Sequence, residues 1–228
     1  AARLADPSCA ELERTMDRSL FLERLPRAYP ALPPGLLVPD LPKVDLVSHF
    51  TQRLASVDGV VHGPFTPVAA ADLVTSIFLE YKATEYLSWD DVGVVGLHQR
   101  LTGAGFRRVE GHLPARGSGR VRQLAGYQDL VAGLTGADAG LAESGSIVVR
   151  SGPGRPRMAS LIPLVHVAVL STDRLYRSLC HYVADHPAAI EGTSNLVIIT
   201  GPSRTGDIEQ QLNLGVHGPK HLHVILVE

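Results

Sequence analysis

The sequence predicts an α/β protein built around a mainly parallel sheet, and three features lead there. Short apolar runs alternate with amphipathic segments from residue 44 onward, the strand–helix–strand order of α/β folds. Leu164–Leu170, interrupted only by His166, and Leu196–Ile199 are continuously apolar, as strands covered on both faces are. The chain has 228 residues, 45% hydrophobic and 19% charged, enough to bury a core without a disulfide or metal to staple it.

Each element follows from its local pattern. Leu12, Met16 and Leu20 recur every four residues, the apolar stripe of a helix. Pro26, Pro30, Pro33, Pro34, Pro39 and Pro42 then remove backbone donors and stop it. Residues 1–43 are therefore expected to form an N-terminal helix and Pro-rich arm, and residues 44–228 the main domain. Gly59–His62 reads as a strand. Val74, Ile77, Phe78 and Tyr81 share one helical face, which predicts a helix over 67–83. Glu85–Trp89 reads as a strand, and Leu97–Gly105 as a short helix closed by Gly103 or Gly105. Residues 110–120, rich in Gly, Pro and Ser, read as a mobile loop; Arg116, Arg120 and Arg122 make it either a solvated surface or a cover for an anion. Ile147–Val149 is a strand, residues 172–186 a helix carrying Leu175, Leu179, Tyr182 and Val183, and Leu222–Val227 the last strand.

Composition excludes several roles. Lys plus Arg is 21 and Asp plus Glu is 23, a net charge of -2, so the basic footprint of a nucleic-acid binder is missing. Cys9 and Cys180 cannot build a disulfide framework or a four-cysteine iron–sulfur site, and so few cysteines fit a reducing, cytoplasmic setting. The longest apolar run, Leu161–Leu170, is about half of the ~20 residues that a membrane span needs. Ala1–Glu13 has no basic-then-apolar pattern, so no secretory signal is expected.

Parallel sheets bind ligands outside the carboxyl ends of their strands, which directs attention to three loops. In the run from Gly136 to Ser146, Glu143 stands beside Ser144, Gly145 and Ser146 just before a buried strand. Its carboxylate can act as base or nucleophile, or accept backbone N–H groups and hold a turn. In Thr200–Glu209, Ser203 or Thr205 can cap a short helix, and Arg204 offers a fork to an anion with Gly201 and Pro202 shaping the turn. Asp207 and Glu209 would occupy that helix's first turn and either serve its dipole or hold a cation. In Leu214–Pro219, His217 lies between Gly215 and Gly218–Pro219, a tight backbone that can present an acid, a base or a donor. His217, His221 and His223 straddle a turn and a strand, so no metal site is expected. His166 is expected to be a hydrogen-bonded core histidine. No cofactor is called for.

The run Gly136–Val149, Pro163–Val169, Ile199–Glu209 and Leu214–Val227 together resemble signatures of the LUD-domain family, over roughly residues 60–228. The resemblance implies a Rossmann-like, three-layer α/β/α core of the NagB/RpiA/CoA transferase-like kind. It also implies a role beside two iron–sulfur proteins that convert L-lactate to pyruvate. This chain, lacking cluster cysteines, would be the cluster-free subunit, binding a small anionic metabolite at loops 143–146, 201–209 and 215–219. Glu143–Gly145 is similar to the Ser-Glu-Asn-Gly turn that carries the CoA-transferase glutamate, with Ser144 in place of Asn and Ala142 before the Glu. The alternatives are a stand-alone CoA-transferase-like or folate- or nucleotide-type enzyme using Glu143 as nucleophile and His217 as proton shuttle, or a metabolite-binding scaffold.

Overall fold

The structure, a computed structural model, describes residues 45–113, 116–191, 193–206, 212–214 and 218–228, all within one compact unit spanning Asp40–Glu228. The expected N-terminal helix and Pro-rich arm lie outside the described residues, as do Asp207, Glu209, Gly215 and His217.

Helix α1 (Leu46–Ala55) starts where the Asp45 carboxylate accepts from the backbone N–H of Val47 and Ser48, satisfying donors that the first turn leaves open. Strand β1 (Val60–Phe65) leads to α2 (Pro67–Glu80), capped by the Thr66 hydroxyl and opened by Pro67 at its first turn, where a missing N–H costs nothing. Ala70, Ala71, Val74, Ile77 and Phe78 form its buried face. Strand β2 (Glu85–Ser88), α3 (Leu97–Gly103), β3 (Arg107–Val109), α4 (Ser118–Gly126) and β4 (Ala132–Gly136) follow. Then come β5 (Ala139–Leu141), β6 (Ser146–Ser151), a 3-10 turn (Arg157–Ser160) and β7 (Val165–Ser171). A second 3-10 turn (Thr172–Arg174) precedes β8 (Leu175–Tyr176), α5 (Leu179–Asp185), β9 (Asn195–Ile199), the hairpin of β10 (Arg204–Gly206) and β11 (Leu212–Leu214), and β12 (His221–Val227).

Six strands form one sheet in the order β1-β12-β7-β4-β2-β3, and every neighbouring pair in it is parallel. The side chains of β7 and β12 are buried nearly throughout, as a parallel sheet covered on both faces requires. On one face Phe78 of α2 packs against Tyr86, and Tyr86 stacks with His98 of α3. The other face carries α1, the first 3-10 turn and a second sheet, ordered β8-β5-β6-β9. Here Gly133 of β4 lets a layer come very close: a Cβ on it would lie 2.0 Å from the Ala159 carbonyl oxygen.

Four local expectations are corrected. Leu196–Ile199 is not a strand of the parallel sheet; as β9 it pairs antiparallel with β6 at an edge and is mostly half-buried. Residues 172–186 are not one helix. Leu175 and Tyr176 pair with β5 as β8, so α5 begins only at Leu179. Ser203 and Thr205 do not cap a helix, because Arg204–Gly206 is a strand paired with Leu212–Leu214. Finally, the loop expected over 110–120 gives way to a helix at Ser118, which carries Arg120 and Arg122.

Candidate functional site

The strand order locates a crevice. From β2 the chain passes through α3 to β3 on one side, and from β4 it goes on to β7 on the other. Neighbouring strands whose chains depart in opposite directions leave a gap at their carboxyl ends, the usual ligand site of such sheets. The gap lies between the segment after β2, Trp89–Asp91, and the segment after β4, Ala137–Asp138. It is a cavity of about 290 Å³ whose wall includes Trp89, Asp91, Asp138, Arg155, Asp173 and Arg174. A second lobe of about 390 Å³ lies toward β3, bounded by Asp90, Arg108, His112 and Gly154.

Asp138 organises the inner lobe. Its buried carboxylate accepts from the backbone N–H of Arg150 at 2.9 Å, from Arg150 Nη2 at 3.0 Å and from Arg155 Nη1 at 3.0 Å. A charge taken out of water needs such partners. The hydrogen bond that Arg150 donates to Asp138, ahead of the opposing effect of burial, raises the Arg150 pKa. Arg155 sits at the end of a tight Gly152–Arg155 turn, whose Gly154 carbonyl accepts from Asp90 N–H at 2.8 Å. Its guanidinium carbon lies 4.8 Å from the Trp89 ring centroid, a cation–π contact. Arg155 Nη2 faces Asp91 Oδ2 across 3.7 Å, beyond hydrogen-bond reach. Arg174 is exposed, and its guanidinium has no hydrogen bond or ion pair among the described residues.

Trp89 is held from behind. Its backbone N–H donates to the Leu134 carbonyl at 3.1 Å, and its backbone carbonyl oxygen lies 3.0 Å from His98 Nε2. A carbonyl only accepts, so His98 carries its proton on Nε2 and its Nδ1 accepts from the Tyr86 hydroxyl at 3.2 Å. Burial, followed by the charge of Arg108, lowers the His98 pKa and keeps the ring neutral.

The predicted loops converge elsewhere. Gly201, Pro202, Ser203, Gly218 and Pro219 line one pocket of about 240 Å³, with His166 and Leu222 in its wall. Ser203 N–H donates to the Pro219 carbonyl at 2.9 Å. This pocket lies at the amino ends of β7 and β12. Hydroxyls connect it to the first loop: Ser144 to Ser146 at 2.7 Å, and Ser146 to Thr200 at 2.7 Å. Gly145 explains that turn, since its φ is +66° and a Cβ would lie 2.3 Å from Leu54 N. Glu143 is exposed, and its N–H donates to the Arg177 carbonyl. Arg204 is exposed and ion-paired with Asp58. His166 is the expected core histidine: Thr135 Oγ1 lies 2.8 Å from its Nε2, and burial lowers its pKa to about 4.

Sequence reasoning missed Asp138, Arg155, Arg174 and Trp89. The signal was present: applied to the strand ending near Ser88 and to the run beginning at Gly136, the carboxyl-end rule leads to Trp89–Asp91 and Asp138. Among the described residues no group of three or more His, Cys, Asp or Glu side chains could hold a metal ion. No helix among them is long and apolar enough to cross a membrane.

Residues 47–227 match the LUD domain family. The chain is 32% identical over 164 residues to lactate utilization protein C of Halalkalibacterium halodurans, covering 68% of this chain and 67% of that one. It is 29% identical over 208 residues to lactate utilization protein C of Shouchella clausii, 88% of this chain and 86% of that one. With an uncharacterized protein of Neisseria meningitidis it shares 33% identity over 102 residues, spanning less than half of that relative's length, 44%. The crystal structure of a DUF162 family protein from Deinococcus radiodurans covers 72% of this chain and 100% of that one, with a TM-score of 0.40 and 21% identity.

Proposed function

Because this chain belongs to the LUD domain family, we propose that it is a component of lactate utilisation that binds a small carboxylate metabolite in the carboxyl-end crevice. The observation that carries the site is Arg155, laid across Trp89 and hydrogen-bonded to Asp138, with the unpaired Arg174 lining the same lobe. Two guanidinium groups beside an indole suit a short organic anion, one small enough to stay clear of the Asp91, Asp173 and Glu228 carboxylates in the same wall. The role is supported by the relatives called lactate utilization protein C. With only two cysteines, the chain would carry no cluster and would act beside iron–sulfur subunits that move the electrons.

The test is anaerobic, L-lactate-dependent dye reduction by this protein alone, by the iron–sulfur subunits alone, and by all together. Activity that requires all of them is expected. Full activity without this chain would overturn the role. Trp89, the only tryptophan, tests the site separately: L-lactate is expected to change its fluorescence.

A second reading rests on the hydroxyl chain from Ser144 through Ser146 to Thr200, which ties the Glu143 turn to the loop of Gly201–Arg204. There Glu143 would serve as base or nucleophile, His217 as proton shuttle and Arg204 as anion clamp, on an acyl-CoA, folate or phosphorylated ligand. A thermal-shift screen with those three ligand classes tests it. A shift that is lost in Glu143→Gln would favour this reading, and no shift would remove it.

A further inference from the structure

Resting on the crevice reading above, we infer that the inner lobe discriminates a 2-hydroxy acid from the corresponding 2-oxo acid, and that Asp91 is the residue that reads the difference. The argument starts with which polar atoms remain available. Asp138 accepts three hydrogen bonds from Arg150 and Arg155, two through Oδ1 and one through Oδ2, and is committed to holding them. Arg150 also donates to the Ala189 carbonyl at 3.3 Å and belongs to the support rather than the cavity wall. Arg155 gives Nη1 to Asp138, which leaves Nη2 as a donor facing Asp91. Asp91 accepts from Gly93 N–H through Oδ1 at 3.1 Å, which leaves Oδ2 as an acceptor. A donor and an acceptor thus face each other at 3.7 Å without bonding.

An oxygen atom placed beside that gap can sit at about 2.8 Å from both. Such an oxygen must accept from Nη2 and donate to Oδ2. A hydroxyl does both. A keto oxygen accepts only, so it would set two acceptors against each other at Asp91. The ligand's carboxylate then takes the guanidinium of Arg174, which has no hydrogen bond or ion pair among the described residues and lines the same lobe, held clear of Asp173 and Glu228 in that wall. Placing the carboxylate at the Arg155–Asp91 gap instead would bring it against the Asp91 charge, which favours the hydroxyl there. Asp91 is exposed, 77% by side chain, so water competes for its oxygen and the discrimination is a modest one, set by the two-way hydrogen bond that only a hydroxyl can make. The crevice would therefore hold the 2-hydroxy acid more tightly than the 2-oxo acid.

Calorimetric titration of the full chain with L-lactate, pyruvate and propionate tests this, with Trp89 fluorescence reporting whether binding reaches the crevice. L-Lactate is expected to bind about three- to fivefold more tightly than pyruvate, less than a buried hydrogen bond to a charged group gives, because Asp91 is exposed. Propionate, with a carboxylate and no 2-oxygen, is expected to be weaker than L-lactate. In Asp91→Ala the preference should vanish, mainly through weaker L-lactate binding, and Arg174→Ala should weaken L-lactate and pyruvate alike. Glycolate against glyoxylate, on the unaltered protein, repeats the comparison without relying on a variant's folding. Equal affinities for both hydroxy–oxo pairs, or a preference that survives in folded Asp91→Ala, would overturn the inference and leave the crevice reading standing. No binding of any of these acids would overturn both.

Discussion

At the carboxyl end of the parallel sheet, Asp138 is buried and paired with two arginines; at the amino end, His223 is buried among neighbours that bring it no opposite charge, and burial keeps it neutral. Asp138 receives three N–H donors from Arg150 and Arg155. His223 lies 3.0 Å through Nδ1 from His62 Nε2 and 3.2 Å through Nε2 from the Tyr81 hydroxyl, and none of those partners carries a compensating negative charge. Burial, followed by the nearby His62 and His221, lowers its pKa to about 4. One sheet thus handles ionisable groups in two ways: ion pairing beside an open cavity, and neutralisation where strands start.

The comparison breaks most sharply at Asp138. Asp138→Ala leaves two guanidinium groups without their acceptor; both arginines are about a third exposed, so the cost falls at the low end for a broken buried pair, about 3 kcal/mol. Urea unfolding followed by Trp89 fluorescence should show that loss. A change below about 1 kcal/mol would mean that water already satisfies the arginines. Asp138→Asn, which keeps an acceptor, should recover part of the difference.

Acid acts on the other end. His166 and His223 have folded pKa values of about 4, below the ordinary value of about 6.5. A depressed folded pKa means that the unfolded chain binds more protons in this range. Their contribution to stability is therefore complete above pH 6.5 and declines as the pH falls toward 4. For His166 alone the loss reaches about 3 kcal/mol. Unfolding measured from pH 7 to 4 should show this slope, and His166→Gln should flatten it. A wild-type stability independent of pH over that range would show that neither ring is held neutral.

How much of this was readable beforehand depended on whether a residue advertised its partner. The strands β7 and β12 were legible because full burial makes them continuously apolar. The central strand β4, Ala132–Gly136, was not. Its Gly133 permits close approach to the Ala159 carbonyl, and packing of that kind replaces large side chains with small ones, which erases the apolar signal. β9 misled for a different reason. Leu196–Ile199 is as apolar as a central strand, and only its pairing with β6 shows it to be an edge. The candidate site was half legible. Asp138 lay within a run that drew attention, but Glu143 has the more reactive-looking neighbours. Arg155, between Gly154 and Pro156, reads as surface loop until the fold places it over Trp89.

A smaller effect is expected behind the crevice. His98→Phe keeps the ring volume but removes the hydrogen bonds to the Trp89 carbonyl and the Tyr86 hydroxyl. Net loss should be about 1 kcal/mol, with a shift in Trp89 emission as the indole resettles. An unchanged emission spectrum would show that the Leu134 hydrogen bond and Arg155 suffice to hold Trp89.

The smallest effect on stability belongs to Arg204, and it discriminates the two candidate regions. Its ion pair with Asp58 is exposed, with side-chain accessibilities of 36% and 72%. Such pairs are screened by water and contribute little, so Arg204→Ala should change stability by less than about 0.5 kcal/mol. Because stability barely moves, any loss of ligand response in this variant reports on binding rather than folding. If the carboxyl-end crevice holds the acid, the Trp89 response to L-lactate in Arg204→Ala should match that of the unaltered protein, while Arg174→Ala should lose it. If instead the loops gathered at the amino end hold the anion, Arg204→Ala should abolish binding and Arg174→Ala should not. The two arginines are both exposed and both one substitution from alanine, but only Arg174 lacks a carboxylate partner. Among the described residues no carboxylate pairs with Arg174, although Asp173 and Glu228 line the same cavity, whereas at Arg204 an incoming anion must displace Asp58.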